Sequence, residues 1–327
     1  MRIQNRLPGA WARLALLSCS LFAAAPVLAE GSYPERPVKV VVPFAPGGSS
    51  DTATRILGQL LGEKWGQTVI IENKPGASGS IGAMHVAKAA NDGYTLLVAP
   101  VSIGTVDLVL KNPGFKRDQD LTPVTQFAKG DYVLAVARDL PVKTLPEFVE
   151  YVRARPNAVF HGAFGDASRL AFMGFAQANG IEPTNVNYRG ESPALNALMT
   201  GEVQAVLATL VGARPFIEAG RIKALAIPSS ARSPIVPDIP TAAETGIKGF
   251  DADFWFGLMA PAGLAEARRQ KIASDVMEIT ARPEVRKRFQ ELGLIATASG
   301  ADDFAKVVKY ESERWVEVAR RAGIEPQ

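Results

Sequence analysis

Histidine is scarce in this chain of 327 residues: His85 and His161 are the only two, 76 positions apart. Proton transfer and zinc binding both lean on imidazole, and no Cys/His cluster here has a ligand spacing. His85 sits among small residues of a helical stretch and reads as a packing or surface residue. His161 precedes a glycine-containing loop, where it either lines a cleft or packs inside. Gly76-Ala77-Ser78-Gly79-Ser80 approaches the nucleophile elbow of a serine hydrolase but lacks its final glycine. Neither G-x-G-x-x-G nor a phosphate loop with its lysine occurs. No spacing singles out a carboxylate pair for acid–base work, and Phe254, Trp255 and Phe256 read as core aromatics. No catalytic residue, metal or cofactor is therefore expected; the balance favours binding.

What remains is a device for anions that occurs twice. Val38 to Val42 is a β-branched run suited to a strand buried on both faces. It leads into Pro43-Phe44-Ala45-Pro46-Gly47-Gly48-Ser49-Ser50-Asp51, after which Ala53, Ile56, Leu57, Leu60 and Leu61 mark one helix face. Ser49, Ser50 and Asp51 are all suitable caps. Further on, Val159-Phe160 begins a strand that breaks into His161-Gly162-Ala163-Phe164-Gly165-Asp166-Ala167-Ser168, with a helix from Leu170. Free N–H groups and the helix dipole attract anions at such loops, and Gly47 and Gly48 let a ligand approach the backbone. One reading is a carboxylate clamped between two helix N-termini. The other, equally open on physical grounds, is a pair of ordinary βα turns.

The elements that would position these loops follow a repeated plan. After the first helix come a strand at Thr68–Glu72, the turn Pro75–Gly79, a small-residue helix and a strand at Tyr94–Val98. That is βαβαβ, a parallel doubly wound layer. The plan restarts with a strand at Tyr132–Ala137 and a helix at Leu145–Arg153. Strands at Asn185–Tyr188, Ala205–Ala208 and Lys223–Ile227 come next, then a loop from Pro228 to Pro240. Asp253–Met259 reads as a strand, followed by three helices, the last with Phe304, Val308, Trp315 and Val318 on one face. Two α/β units with the chain passing out and back leave a cleft at their strand ends. The expected division is residues 30–125 with about 252–327 in one lobe, and about 126–251 in the other.

The first residues read as an export signal. Arg2, Arg6 and Arg13 precede an apolar stretch from Leu14 to Leu28, and Val27-Leu28-Ala29 suits cleavage after Ala29. The alternative, a lipoprotein site at Cys19, would leave an unusually short apolar region. The formal charge of +3 comes entirely from those three arginines, so the mature chain is neutral and has no cysteine. It has no general pull toward nucleic acid or membrane and owes nothing to disulfides. No later segment has the apolar length of a membrane helix.

Several motifs together resemble the substrate-binding proteins of tripartite tricarboxylate transporters (the Bug family). They are Tyr33-Pro34 with Arg36-Pro37; Val42-Pro43-Phe44-Ala45-Pro46-Gly47-Gly48 with Asp51; Glu72-Asn73-Lys74-Pro75-Gly76-Ala77; and Asp92-Gly93-Tyr94-Thr95-Leu96-Leu97. Asn187-Tyr188-Arg189-Gly190 with Pro193-Ala194-Leu195, Pro240-Thr241 with Glu244 and Gly246, and Trp255-Phe256-Gly257-Leu258 with Ala260-Pro261 complete the series. The resemblance implies a two-lobed periplasmic binding protein of Venus-flytrap form, each lobe a mostly parallel sheet flanked by helices. It implies a monomer that closes on a small carboxylate and delivers it to membrane permease subunits. By the same resemblance Phe44, Ala45, Pro46, Gly47, Gly48 and Ser49 form one jaw, and the loop with Ala163, Gly165, Asp166 and Ser168 the other. Ser102, Tyr188, Arg189, Gly190 and Thr209 supply side walls. A ligand sensor feeding a membrane signalling protein is the runner-up, and an exported enzyme a distant third. One region departs from the family pattern: Asp166 stands where a hydroxyl opens the helix, and Arg169 where a histidine precedes the leucine. Asp166 is either a substituted helix cap or a cleft residue that selects an amino acid, or an aromatic or short monocarboxylate, over a tricarboxylate.

Overall fold

Val38–Val42 becomes strand β1 of a computed structural model that describes residues 33–106, 110–229 and 231–321. The expected export signal, with Cys19 and Ala29, lies outside the described residues. Glu35 ends a short N-terminal unit with a cis peptide bond between Tyr33 and Pro34; the chain from Arg36 on forms the other unit.

In the main unit β1 pairs in parallel with β2 (Val69–Asn73) and β3 (Thr95–Pro100). Helices α1 (Ser49–Trp65) and α2 (Ser80–Ala87) make the connections. Ala53, Ile56, Leu57 and Leu61 of α1 are buried as their spacing requires. A second parallel set consists of β5 (Phe160–Ala163), β6 (Thr184–Asn187) and β7 (Ala205–Thr209). It carries α3 (Leu145–Arg153), α4 (Asp166–Ala178), α5 (Glu191–Thr200) and α6 (Leu210–Glu218).

The sets are joined by β4 (Leu121–Ala137), one strand of 17 residues. Its first part, through Asp131, pairs antiparallel with β9 (Asp253–Pro261). From Tyr132 it pairs instead with β7 and with β8 (Ile222–Ala226). The strand order is β2-β1-β3-β9-β4-β7-β5-β6, so each half is a parallel trio extended by antiparallel strands. This is the two-lobed α/β fold of a periplasmic binding protein.

Only the latter part of β4 was legible as a strand. Leu121–Asp131 contains Pro123 and Gly130, and irregularities between Pro123 and Thr125 and between Gln126 and Ala128 break the alternation of side chains. The final helices are α7 (Glu266–Ala281), α8 (Pro283–Glu291) and α9 (Ala301–Arg321). A three-residue strand, β10 (Leu294–Ala296), adds to β4 between the last two and is too short to show a period. Phe304, Val308 and Trp315 of α9 are buried as expected; the Val318 side chain lies outside the described residues. The Trp315 indole donates to Glu311 Oε2 at 2.8 Å, so the largest side chain on this face also has its polar atom satisfied. Among the described residues no helix is long and apolar enough to cross a membrane.

Candidate functional site

The loop after β1 is held from within. Asp51, 3% exposed, accepts the Gly47 N–H at 2.9 Å and Asn73 Nδ2 at 3.0 Å. Asn73 also donates to the Phe44 carbonyl at 3.0 Å. Gly47 has φ +86°, with open space where a Cβ would stand, so backbone conformation rather than crowding calls for glycine there. Ser49 and Ser50 make no side-chain cap; Gly48 holds the N-cap position and Asp51 reaches back to Gly47 instead. Burial pushes the Asp51 carboxyl upward, but bonds from Arg55, Gly47 and Asn73 outweigh that and hold it below its usual range. One amide of the expected jaw is thus committed to Asp51. The first amides of α1 have no acceptor within the helix.

A second turn lies against this one. Gly76, Ala77, Ser78 and Gly79 all have positive φ, at +128°, +44°, +53° and +92°. Two non-glycine residues in that region store strain, which persists where surrounding structure enforces it. A Cβ on Gly82, in α2, would come 3.0 Å from Pro43 Cα, so α2 starts directly beside the end of β1. Ser78, Gly79 and Ser80 join Pro43, Pro100 and Ser102 around a small cavity of about 10 Å³. Ser102 sits in the 3₁₀ turn Val101–Gly104, and its Oγ is buried without a hydrogen-bond partner. Ser78, Gly79 and Ser80 were not among the sequence-predicted site residues. Their signal was Gly76-Ala77-Ser78-Gly79, which resembled a failed nucleophile elbow.

In the other lobe β5 ends at Ala163, whose carbonyl accepts the Tyr188 N–H at 2.7 Å. That bond brings Tyr188, exposed Arg189 and Gly190 beside the loop of Gly165, Asp166 and Ser168. Two expected wall residues are engaged elsewhere. Tyr188 Oη donates to Glu202 at 2.7 Å, and desolvation together with Glu202 pushes the phenol up to about 12. Thr209 gives both its N–H (2.5 Å) and its hydroxyl (2.9 Å) to the Glu191 carboxylate. Glu191 is half-buried as a residue, with its carboxyl end enclosed between Thr209 and Gly212. Burial drives that group up to about 7 against the bonds from Thr209. A Cβ on Gly212 would stand 2.6 Å from the Glu191 carboxyl carbon. Gly212→Ala therefore is expected to expel the carboxylate and destabilise the fold by about 1–3 kcal/mol, read from urea midpoints.

His161 does not line a cleft. It is fully buried, stacked on Phe172 at 3.6 Å, and its Nε2 accepts the Leu207 N–H at 3.3 Å. Nδ1 therefore carries the proton and donates to Asn185 Oδ1 at 2.8 Å. Burial lowers its pKa to about 4. His85 is exposed. The described residues contain no group of three His, Cys, Asp or Glu able to hold a metal. Asp166 does not cap α4: Gly165 stands at the N-cap, with no side-chain bond there.

Comparisons with known proteins bear on the fold and the family. Residues 53–324 match the tripartite tricarboxylate transporter family receptor. Protein BugT of Bordetella pertussis is 34% identical over 306 residues, covering 92% of this chain and 93% of BugT. An R. palustris protein solved with adipate superposes with a TM-score of 0.87 at 33% identity, over 90% of this chain and all of that one. MatC from Rhodopseudomonas palustris with bound malate gives 0.81 at 34% identity, over 88% of this chain and all of MatC. The chain belongs to the tripartite tricarboxylate transporter receptor (Bug) family of periplasmic solute-binding proteins.

Proposed function

We propose that this receptor captures a small carboxylate between its lobes and hands it to the membrane permease subunits of a tripartite tricarboxylate-type transporter, acting as a monomer and not as an enzyme. The observation that carries the reading is the start of α2 against Pro43, where β1 runs into the loop that opens α1, beside the unpartnered Ser102 hydroxyl. Helix N-termini and a free hydroxyl are donors suited to a carboxylate. Relatives solved with adipate and malate support the same class of ligand. We place the ligand against the loop Phe44–Ser49, Ser102 and the loop from Ala163 to Ser168. The lobes change over where β4 switches partners, between Asp131 and Tyr132. Ligand that touches both lobes only when they close favours the closed form. The mature protein begins after Ala29, which N-terminal sequencing of exported protein checks.

Thermal-shift measurements on refolded protein test the main claim, refolding being needed to strip ligand retained from the host. A ligand at 100 times its Kd stabilises the fold by about 2.7 kcal/mol. At least one small carboxylate is expected to raise the melting midpoint. A panel in which no carboxylate does so, while a sugar or cation does, would refute the proposal.

A further inference from the structure

Asp166 is a buried carboxylate that the fold does not use. It opens α4, a helix of 13 residues, yet makes no capping bond. The Ser168 hydroxyl turns back to the Gly165 carbonyl at 3.2 Å, so the loop is closed without Asp166. Its residue is 9% exposed. Oδ1 meets Arg169 Nη2 at 3.4 Å, a long contact within the same helix, and Oδ2 is buried with no hydrogen-bond partner. An acceptor removed from water without a donor costs stability, and native structures keep such groups mainly where function uses them.

Ser102 Oγ is another of the four buried side-chain polar atoms without a partner among the described residues. Ser102 is 8% exposed, and its turn, Val101–Gly104, packs against α4 and against the strained turn Ala77–Gly79. The two unpartnered groups have opposite capacities. A serine hydroxyl can donate to a ligand carboxylate, whereas a carboxylate oxygen can only accept.

We propose that Asp166 is a specificity-determining acceptor, which selects ligands carrying an ammonium or hydroxyl donor beside their carboxylate. The inference rests on the receptor reading above and narrows its ligand class. A second carboxylate, without such a donor, would face Asp166 with like charge. A ligand ammonium would replace the missing donor with a charge-assisted bond, and a hydroxyl with a neutral one. Such bonds are worth about 10-fold to 100-fold in affinity for a charged donor, and about 10-fold or less for a neutral one.

Calorimetric titration of the refolded protein with two matched trios tests this: propionate, lactate and alanine, then succinate, malate and aspartate. In at least one trio the hydroxy or amino acid is expected to bind roughly 10-fold or more tighter than the donor-free acid. Asp166→Asn is expected to remove most of that preference, with the amino acid losing more than the hydroxy acid, and to tighten succinate as the like charge is removed. Which of lactate or alanine, malate or aspartate, leads distinguishes hydroxyl from ammonium as the donor. Donor-free acids binding as tightly as their partners, or an unchanged preference in Asp166→Asn, would overturn the role of Asp166 and leave the receptor reading standing. Binding of no carboxylate at all, in these trios or in the wider panel, would overturn both. The wild-type preference needs no variant, so a substitution that fails to fold does not spare the proposal.

Discussion

Replacing Gly257 with alanine is expected to lower the melting midpoint by about 2–5 °C. Gly257 lies mid-way along β9, opposite Ala99 of β3 and Gln126 of β4, so its backbone is fixed on both sides. The Phe304 ring of α9 lies directly over it. An added Cβ would stand 2.6 Å from Phe304 Cε1 and 2.8 Å from Cε2, and closest to Cζ. Phe304 has no room to yield, being fully buried and set edge-on to Trp255 at 5.2 Å. Overpacking of a rigid core costs about 1–3 kcal/mol. The gain from a less flexible unfolded chain, about 0.4–1 kcal/mol, is smaller. Calorimetry of the variant reads the shift, and Phe304→Leu in the same chain should recover part of it. An unchanged midpoint in Gly257→Ala would show that the ring moves freely.

The second large effect is concealed in the wild type. Glu191 is raised to about 7 from an ordinary 4.5, so its contribution to stability is complete below about 4.5 and is lost as pH rises through 7. His161 is depressed to about 4 from 6.5, so its contribution is complete above about 6.5 and is lost as pH falls through 4. Between pH 4.5 and 6.5 folded Glu191 keeps a proton that the unfolded chain has released. Over the same range folded His161 refuses one that the unfolded chain has taken up. Their slopes cancel, and together they leave stability nearly level. Removing either partner exposes the other, with a span on the order of 3 kcal/mol. His161→Gln is expected to gain stability as pH falls from 7 to 4.5, and Glu191→Gln to lose it from 6.5 to 4. Urea midpoints across that range decide the matter. Profiles parallel to the wild type in both variants would show that neither group titrates as described.

Much of the architecture could be read from residue patterns because each half is built on parallel βαβ units. Val38–Val42 announced a doubly buried strand, Ala53 to Leu61 a helix face, and Leu145–Arg153 a helix. The missed parts have physical causes. The early half of β4 is irregular, and β10 has only three residues. The site was less legible than the fold. The family resemblance put Asp166 and Ser102 among the expected site residues, but nothing in a linear pattern tells which polar atom finds a partner. Thr209 and Tyr188 illustrate this, since their partners Glu191 and Glu202 come from other elements. The left-handed path through Ala77 and Ser78 was also hidden, because neither residue type favours it.

The place of β9 between β3 and β4 governs the order in which the chain can fold. Residues 253–261 are synthesised after the strands on either side of them, with β4 ending more than a hundred residues earlier. Until they emerge, β3 and β4 have no common neighbour and the larger sheet is open at its middle. A nascent chain therefore cannot settle its first lobe early, and long-range strand pairing of this kind is slow in any case. The same delay keeps the middle of the sheet unpaired until Pro261 has been made.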